Sequence, residues 1–393
     1  MDNWGKTDLG SVIKLVSGRH IKSAKCNKAG NGLKYLTGPT DFVGNQIQAT
    51  KFTEEPKSVA EPGDILLTVK GSGVGKLAFS DDRYCISRQL MALRPKKIET
   101  EFLFYYLQNN REYFERYARG LIPGISRDEV TNFVIKIPPK EERKQIVEII
   151  NEWQRGIQKL KKLIKTKKRY KKGLMQQLLS GKKRFPEFED ESWQEVELGK
   201  VFQRVTQKNE DEEVTNVLTI SAQDGLVSQT DYYDKSVASK DLSRYIVLQE
   251  GDLAYNKSYS DGYPLGAIKR LEEYEKGVLS PLYICFRIDS PKLDSDFMTH
   301  FFENGGLDHD IYKIAREGAR NHGLLNVSIK DFFKIRFKVP QIEEQKKIAK
   351  VLNKAKKEIE LLEEELDAVK KQKKGLMQQL LTGKTRVTNG TRP

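Results

Sequence analysis

Lys171-Lys172-Gly173-Leu174-Met175-Gln176-Gln177-Leu178-Leu179 recurs letter for letter as Lys373-Lys374-Gly375-Leu376-Met377-Gln378-Gln379-Leu380-Leu381, a shift of 373 − 171 = 202 residues. Each copy closes a long charged segment that begins after a proline, Pro138 in the first and Pro340 in the second, again 202 apart. A period of this kind is read before anything else, because missing it misassigns the whole fold. The apolar positions step four, three, four, three: Ile146, Ile150, Trp153, Ile157, Leu160 and Ile164, then Leu174 and Leu178 after Lys167 and Lys171. The second copy holds the same register through Ile348, Leu352, Ala355, Ile359, Leu362, Leu366, Val369, Leu376 and Leu380, with Lys373 in the stripe. Such spacing places the side chains on one face of a helix, to be buried against another helix. A helix over 146–178 would be about 50 Å long at ~1.5 Å per residue. The simplest partner for one stripe is the other. A coiled coil between two copies of the chain gives the same periodicity.

Outward from the helices, two blocks repeat more loosely. Trp193, Leu198, Gly199 and Val201 match Trp4, Leu9, Gly10 and Val12 at a shift of 189, and Gly251-Asp252-Leu253 matches Gly63-Asp64-Ile65 at 188. Ser280 and Arg287 match Ser87 and Arg94 at 193, and Phe337-Lys338-Val339-Pro340 matches Ile135-Lys136-Ile137-Pro138 at 202. The shift thus grows by 202 − 189 = 13 residues inside the block, so insertions fall in its loops while the helices stay in step. The expected fold is α+β, with two α/β recognition domains alternating with two long helices that pair as an antiparallel coiled coil, an internal pseudo-twofold repeat. The expected boundaries are 1–137 for the first recognition domain, 138–180 for the first helix, 181–338 for a linker and the second domain, 339–383 for the second helix, and 384–393 for a flexible tail. Runs at Asp64–Val69, Leu90–Leu93 and Ile135–Ile137 read as strands, and Glu101–Tyr117 as an aromatic-rich helix. Glu61-Pro62-Gly63-Asp64 reads as a turn. Glu141 and Glu142 suit the positive end of a helix that starts after proline. Gly173 and Gly375 are expected to mark a break, an early end or a close crossing, since glycine inside a helix costs roughly 1 kcal/mol against alanine.

The 393 residues carry a formal charge of +14, which points to a polyanionic partner, nucleic acid above all. Part of the excess belongs to lysine-rich helix faces, between Lys159 and Lys172 especially. The opening MDNWGKTDLG has no apolar leader segment and no run is long enough to span a bilayer, so a cytoplasmic protein is expected. Three widely separated cysteines, Cys26, Cys85 and Cys285, suggest neither a disulfide framework nor a zinc site. His20, His300, His309 and His322 form no metal pattern, and His300 and His309 are expected to cap or pack. Gly71-Ser72-Gly73-Val74-Gly75-Lys76-Leu77 imitates a phosphate loop. Yet Lys70 stands where the first glycine belongs and Leu77 where Ser or Thr belongs. Ile137-Pro138-Pro139-Lys140 lacks the polar and aromatic flanks of an amino-methyltransferase motif.

Scaffold positions match while the surfaces between them diverge. Two unlike readers held apart by rigid helices suit a bipartite target, such as two half-sites on one face of a duplex about 34 Å apart. The expected contacts are polar, glycine-rich loops with basic residues: Lys70, Ser72, Lys76, Arg88, Arg119 and Arg127 in the first block, and Asn256, Lys257, Ser258, Tyr259, Arg316, Arg320, Asn321 and His322 in the second. Lys and Arg would hold phosphates; Arg, Asn and Ser would reach base edges.

With two W-x-x-x-x-L-G openings, Gly63-Asp64-Ile65-Leu66 and Gly251-Asp252-Leu253, the Ile125-Ser126 and Val327-Ser328 elements, and two Pro-x-x-Glu-Glu helix starts ending in Gly-Leu-Met-Gln-Gln-Leu-Leu, the chain resembles a type I restriction-modification specificity subunit over nearly its whole length. Arg143 in place of the glutamine at Gln345 is a small departure. The resemblance implies double-stranded DNA as target, with each domain reading one half of a split asymmetric site. It implies helices that set the spacer and dock two methyltransferase subunits, restriction subunits as further partners, and no catalytic centre in this chain. S-adenosylmethionine, ATP and Mg²⁺ would belong to the partner subunits. The alternatives are a coiled-coil-linked scaffold for protein ligands and, on the broken glycine loop alone, an NTP-dependent enzyme.

Overall fold

Gly63 and Gly251, at φ 86° and 88°, make the turn that launches a central, largely buried strand in each half, Ile65–Thr68 and Leu253–Asn256. A left-handed backbone is easily adopted only without a Cβ. The aspartate that follows completes the device. Asp64 Oδ2 accepts from the Glu61 amide (2.8 Å) and from Arg94 Nη2 (2.8 Å), while Arg94 Nε reaches Oδ1 at 2.9 Å. Asp252 repeats this with the Gln249 amide (2.9 Å) and Arg287 Nη2 (2.8 Å). The matched Gly-Asp and Arg positions are thus one turn and one ion pair, used twice.

The computed structural model describes residues 4–44, 46–71, 73–118, 124–233, 241–317 and 325–387. The chain divides into two compact units, Met1–Lys161 with Glu365–Pro393, and Lys162–Glu364. In the first, an antiparallel sheet has the order Ile13–Ser17, Leu90–Pro95, Ile65–Thr68, Leu77–Phe79. A second sheet joins Lys51–Thr53, Leu33–Leu36, Tyr84–Ile86 and Val59–Ala60, with Leu33–Leu36 and Tyr84–Ile86 parallel. The opening strand Gly5–Asp8 pairs with Val134–Ile137.

In the second unit the same order recurs as Phe202–Arg204, Ile284–Ile288, Leu253–Asn256, Ala267–Arg270, and Gln194–Glu197 pairs with Arg336–Val339. Two strand pairs replace the second sheet: the hairpin of Leu218–Ser221 with Gly225–Ser228, and Ile246–Gln249 with Lys276–Leu279. The glycine of each W-x-x-x-x-L-G opening has a packing role. A Cβ on Gly10 would lie 2.9 Å from Thr131, and one on Gly199 3.0 Å from the Phe333 carbonyl. Ser126 and Ser328 cap the short helices Arg127–Thr131 and Ile329–Phe333 that carry these contacts.

The long helices run Lys140–Leu178 and Ile342–Thr382. Each contributes to both units. In the first unit, Ile146 and Ile150 share a core with Met377, Leu380 and Leu381, and with Phe102, Tyr105 and Tyr106 of the recognition block. In the second, Met175, Leu178 and Leu179 share a core with Ile348, Ala349 and Leu352, and with Phe297, Phe301 and Phe302. Along the stripe, Ile146, Ile150, Ile157, Ile164, Leu178, Ile348, Leu352, Ile359, Leu366 and Leu380 are buried. Trp153, Leu160, Leu174, Ala355, Leu362, Val369 and Leu376 are half-buried. Lysines in and beside the stripe are partnered: Lys167 and Lys168 pair with Glu358 (2.6 Å) and Glu363 (2.7 Å) in the second unit, and Lys373 donates to Gln154 Oε1 (2.6 Å) in the first. Burial pulls the Lys373 ammonium below its ordinary pKa.

Three expectations change. Gly173 and Gly375 mark neither a break nor a crossing: both helices run through them, and nothing lies within 4 Å of a Cβ placed there. The aromatic helix at 101–117 is two helices, Thr100–Asn109 and Arg111–Glu115, followed by a short 3-10 turn. Asn110 separates them, its side chain donating to the Tyr106 carbonyl (2.8 Å) as a helix-ending group would. And Glu142 does more than face a helix dipole. It is buried, receives Arg386 Nε (2.7 Å) and Nη2 (2.8 Å), and accepts from Trp4 Nε1 (3.2 Å). Glu344 is fully buried and receives Arg184 Nε (3.0 Å) and Nη2 (2.6 Å). Within 384–393, read from the sequence as a tail, Arg386 and Val387 are therefore packed onto the first unit, and 388–393 lie outside the described residues.

The departure at Arg143 is also accounted for. Arg143 Nη1 donates to the Pro138 carbonyl (2.8 Å), and Gln345 Nε2 to the Pro340 carbonyl (2.8 Å), so two side chains satisfy the same helix-start oxygen.

Candidate nucleic-acid interface

In the first unit the strand Ile65–Thr68 turns through 69–76 into Leu77–Phe79. The turn is closed by Gly75 N to Thr68 O (3.0 Å) and Thr68 N to Lys76 O (2.9 Å), with Gly71 and Gly75 at φ 84° and 85°. Because the loop leads into a strand, no helix N-terminus faces it, and the feature a phosphate loop depends on is missing. The loop is instead a platform. Val69 donates to the Gln89 carbonyl (2.8 Å) and accepts from Ile125 N (2.8 Å), and Lys70 bridges to Gly124. Lys70 and Lys76 of this loop and Arg88 of the next are thereby carried on backbone segments bonded to one another, and all three are exposed. Arg127 is exposed too, but its guanidinium is engaged, Nη1 with Ser17 Oγ at 2.6 Å and Nη2 with the Leu15 carbonyl at 3.5 Å. Ser72 and Arg119 lie outside the described residues.

In the second unit the equivalent loop runs from Leu253–Asn256 to Ala267–Arg270. Asn256 Oδ1 accepts from the Ser258 amide (3.0 Å), fixing the first turn of the loop. Ser260 and Tyr263 exchange backbone hydrogen bonds (2.9 and 3.2 Å) at its tip. Lys257 and Ser258 are half-buried, and Tyr259 is 63% exposed. Leu325 N donates to the Lys257 carbonyl (3.0 Å), and Arg316–Glu317 pairs with Leu325–Asn326. Both patches read from the sequence thus meet here, as they do at Val69 and Ile125 in the first unit. Arg320, Asn321 and His322 lie outside the described residues, and only the backbone of Arg316 is described.

His300 is a packed histidine. It is buried on the helix Ser295–Glu303, with Nε2 2.7 Å from Asn353 Oδ1 on the second long helix. Nearby, Arg270 pairs with Asp296 (2.8 Å), which accepts from Asn353 Nδ2 (2.7 Å). His300, then Lys171 and Lys269, hold the Glu303 carboxyl down to about 2. His309 is exposed on the helix Asp308–Ile314. Among the described residues no group of three or more His, Cys, Asp or Glu is arranged to hold a metal ion, and no helix is long and apolar enough to cross a membrane.

What sequence reasoning missed are the arginines that pair with the helix-start glutamates, Arg386 with Glu142 and Arg184 with Glu344. Their signal was present, because Gly181/Gly383 and Arg184/Arg386 extend the repeat at the same shift of 202.

Two sheets of one strand order, each presenting its own loops and each tied to the same pair of long helices, define the class. Residues 1–168 match the type I restriction modification DNA specificity domain. It is 26% identical to the type I restriction enzyme MjaVIII specificity subunit of Methanocaldococcus jannaschii, the alignment covering 99% of this chain and 94% of that one. The fold is similar to that of the HsdS subunit from Thermoanaerobacter tengcongensis (TM-score 0.52, 17% identity, 97% of each chain). It is also similar to the S subunit from M. genitalium (TM-score 0.53, 15% identity, 97% of this chain and 96% of that one).

Proposed function

We propose that this chain gives a type I restriction-modification complex its DNA sequence specificity, each unit reading one half of a bipartite asymmetric site. One observation carries the reading: a single strand order recurs in both units, while the loops that leave its two central strands differ in length, charge and side chains. Constant sheets with unlike loops are what two readers of unlike half-sites require. The long helices act as an antiparallel coiled coil that sets the unread spacer and offers a docking face to two methyltransferase subunits; the repeat is pseudo-twofold. Restriction subunits join the assembly. The chain itself is non-catalytic; S-adenosylmethionine, ATP and Mg²⁺ sit on the partners, and the complex works in the cytoplasm. Lys70, Lys76 and Lys257 supply phosphate contacts; Arg88, Asn256, Ser258 and Tyr259 lie where base edges are read. Mapping methylated adenines genome-wide with and without this chain tests the proposal. A two-part motif that vanishes with the chain is expected; an unchanged methylation map would overturn it.

A further inference from the structure

One cavity in the first unit, of about 380 Å³, is lined without a carboxylate. Other cavities carry several, such as the one against Asn353 lined by Asp296, Glu272 and Glu303. Around the first are His20, Asn27, Lys28, Lys51, Arg88 and Gln89. Lys28, Lys51 and Arg88 enter none of the ion pairs of the described residues; the nearby pairs are Lys25 with Glu55 and Lys34 with Asp82. A concave surface with unspent cations and no opposing acid attracts anions. It adjoins the platform already described, because Gln89 is the residue whose carbonyl accepts from Val69 N. Gln89 also lies over Gly38: a Cβ there would stand 2.2 Å from Gln89 Oε1, so alanine at 38 would push that exposed amide aside.

The second unit offers the contrast. Gln89 N donates to Ser87 Oγ (3.2 Å) and Leu90 N to Ser87 O (2.9 Å). Leu282 N donates to Ser280 Oγ (3.4 Å) and Tyr283 N to Ser280 O (3.2 Å). One turn, between equivalent strands, thus displays Arg88-Gln89 in one unit and Pro281-Leu282 in the other, with Leu282 73% exposed. Arginine and glutamine read guanine and adenine edges by paired hydrogen bonds, whereas an apolar side chain meets the thymine methyl.

We propose that the Arg88–Gln89 turn and its carboxylate-free cavity form a duplex-DNA contact that sets the first unit's sequence choice, Arg88 and Gln89 meeting base edges and Lys28 and Lys51 the adjoining phosphates. This rests on the chain being a DNA specificity subunit. The test compares methylated motifs in cells carrying the full chain with its methyltransferase, as wild type, as R88A/Q89A, as Gln89→Ala, as Gly38→Ala and as Leu282→Ala. In the double variant, discrimination at one or two positions of one half-site is expected to fall about ten-fold or more, with the other half intact. Gly38→Ala relaxes a single position of the same half, and Leu282→Ala affects the opposite half. If the double variant abolishes methylation, Gln89→Ala alone decides, since it removes the amide and leaves Arg88 in place; an unchanged motif there overturns the proposal. So does an unchanged motif in the double variant. Calorimetry with inorganic phosphate and with dAMP separates sources: Arg88-dependent binding of either with an unchanged motif would make this a small-anion site instead. A wild-type chain that yields no motif would refute the specificity reading itself, a different failure.

Discussion

Arg184 and Glu344 show what one residue does here. Glu344 is fully buried, and Arg184 supplies its countercharge through two hydrogen bonds. Removing one member of a buried pair leaves the other charged and dry. Arg184→Ala is therefore expected to cost roughly 3 kcal/mol, read as a lower midpoint in chemical denaturation, with Arg184→Lys recovering part of it. Glu303 makes a second case. Its carboxyl sits at about 2 instead of 4.5, owing first to His300 and then to Lys171 and Lys269. A depressed carboxylate stabilises the fold at pH values above the unfolded pKa, and that share is lost as pH falls through about 2. Between those limits the wild type is expected to lose stability more steeply than Glu303→Gln; parallel curves in an acid titration of unfolding would contradict this. These pairs were only partly visible in the sequence. The Gly-Asp and Arg matches marked scaffold positions, but Asp64 meeting Arg94 across thirty residues is a consequence of strand register, which letters alone do not supply. Of the DNA-contact candidates, the glycine loops were legible by composition, whereas Gln89, Asn27 and Lys51 come together only through the second sheet.

At the scale of an element, the two long helices were the most legible part, because a four–three stripe over forty residues admits few other readings. Their glycines were not. Gly173 and Gly375 face open space within continuous helix. Alanine at either position is expected to stabilise by about 0.5–1 kcal/mol, measurable as a raised Tm, with no change in the DNA motif. The opposite sign is expected at the stripe: Leu352→Ala, at a side chain with no exposed surface, removes 2–5 kcal/mol by leaving a cavity. The aromatic segment after residue 100 was read as one helix because its apolar spacing continues; it ends where Asn110 leaves the helical conformation at φ −102° and ψ 22°, its amide and side chain both donating to the Tyr106 carbonyl.

For the whole molecule, spacer length is the quantity the helices are proposed to hold. Seven residues inserted between Lys161 and Lys162, with seven more between Glu364 and Glu365, keep the heptad register and add about 10 Å of helix. The unread gap in the methylated motif is then expected to lengthen by about 3 bp, both half-sites staying the same. An insertion in one helix alone breaks the register and is expected to abolish modification.

The Arg386 contact reaches further than stability. The segment that leaves the second long helix returns to the buried Glu142 and shields the Trp4 ring, whose Cζ2 lies 3.4 Å from a Cβ placed on Gly383. A reading-frame slip or a protease cut ahead of residue 386 would thus act at a distance in the chain, loosening the first unit while leaving residues 1–137 unaltered.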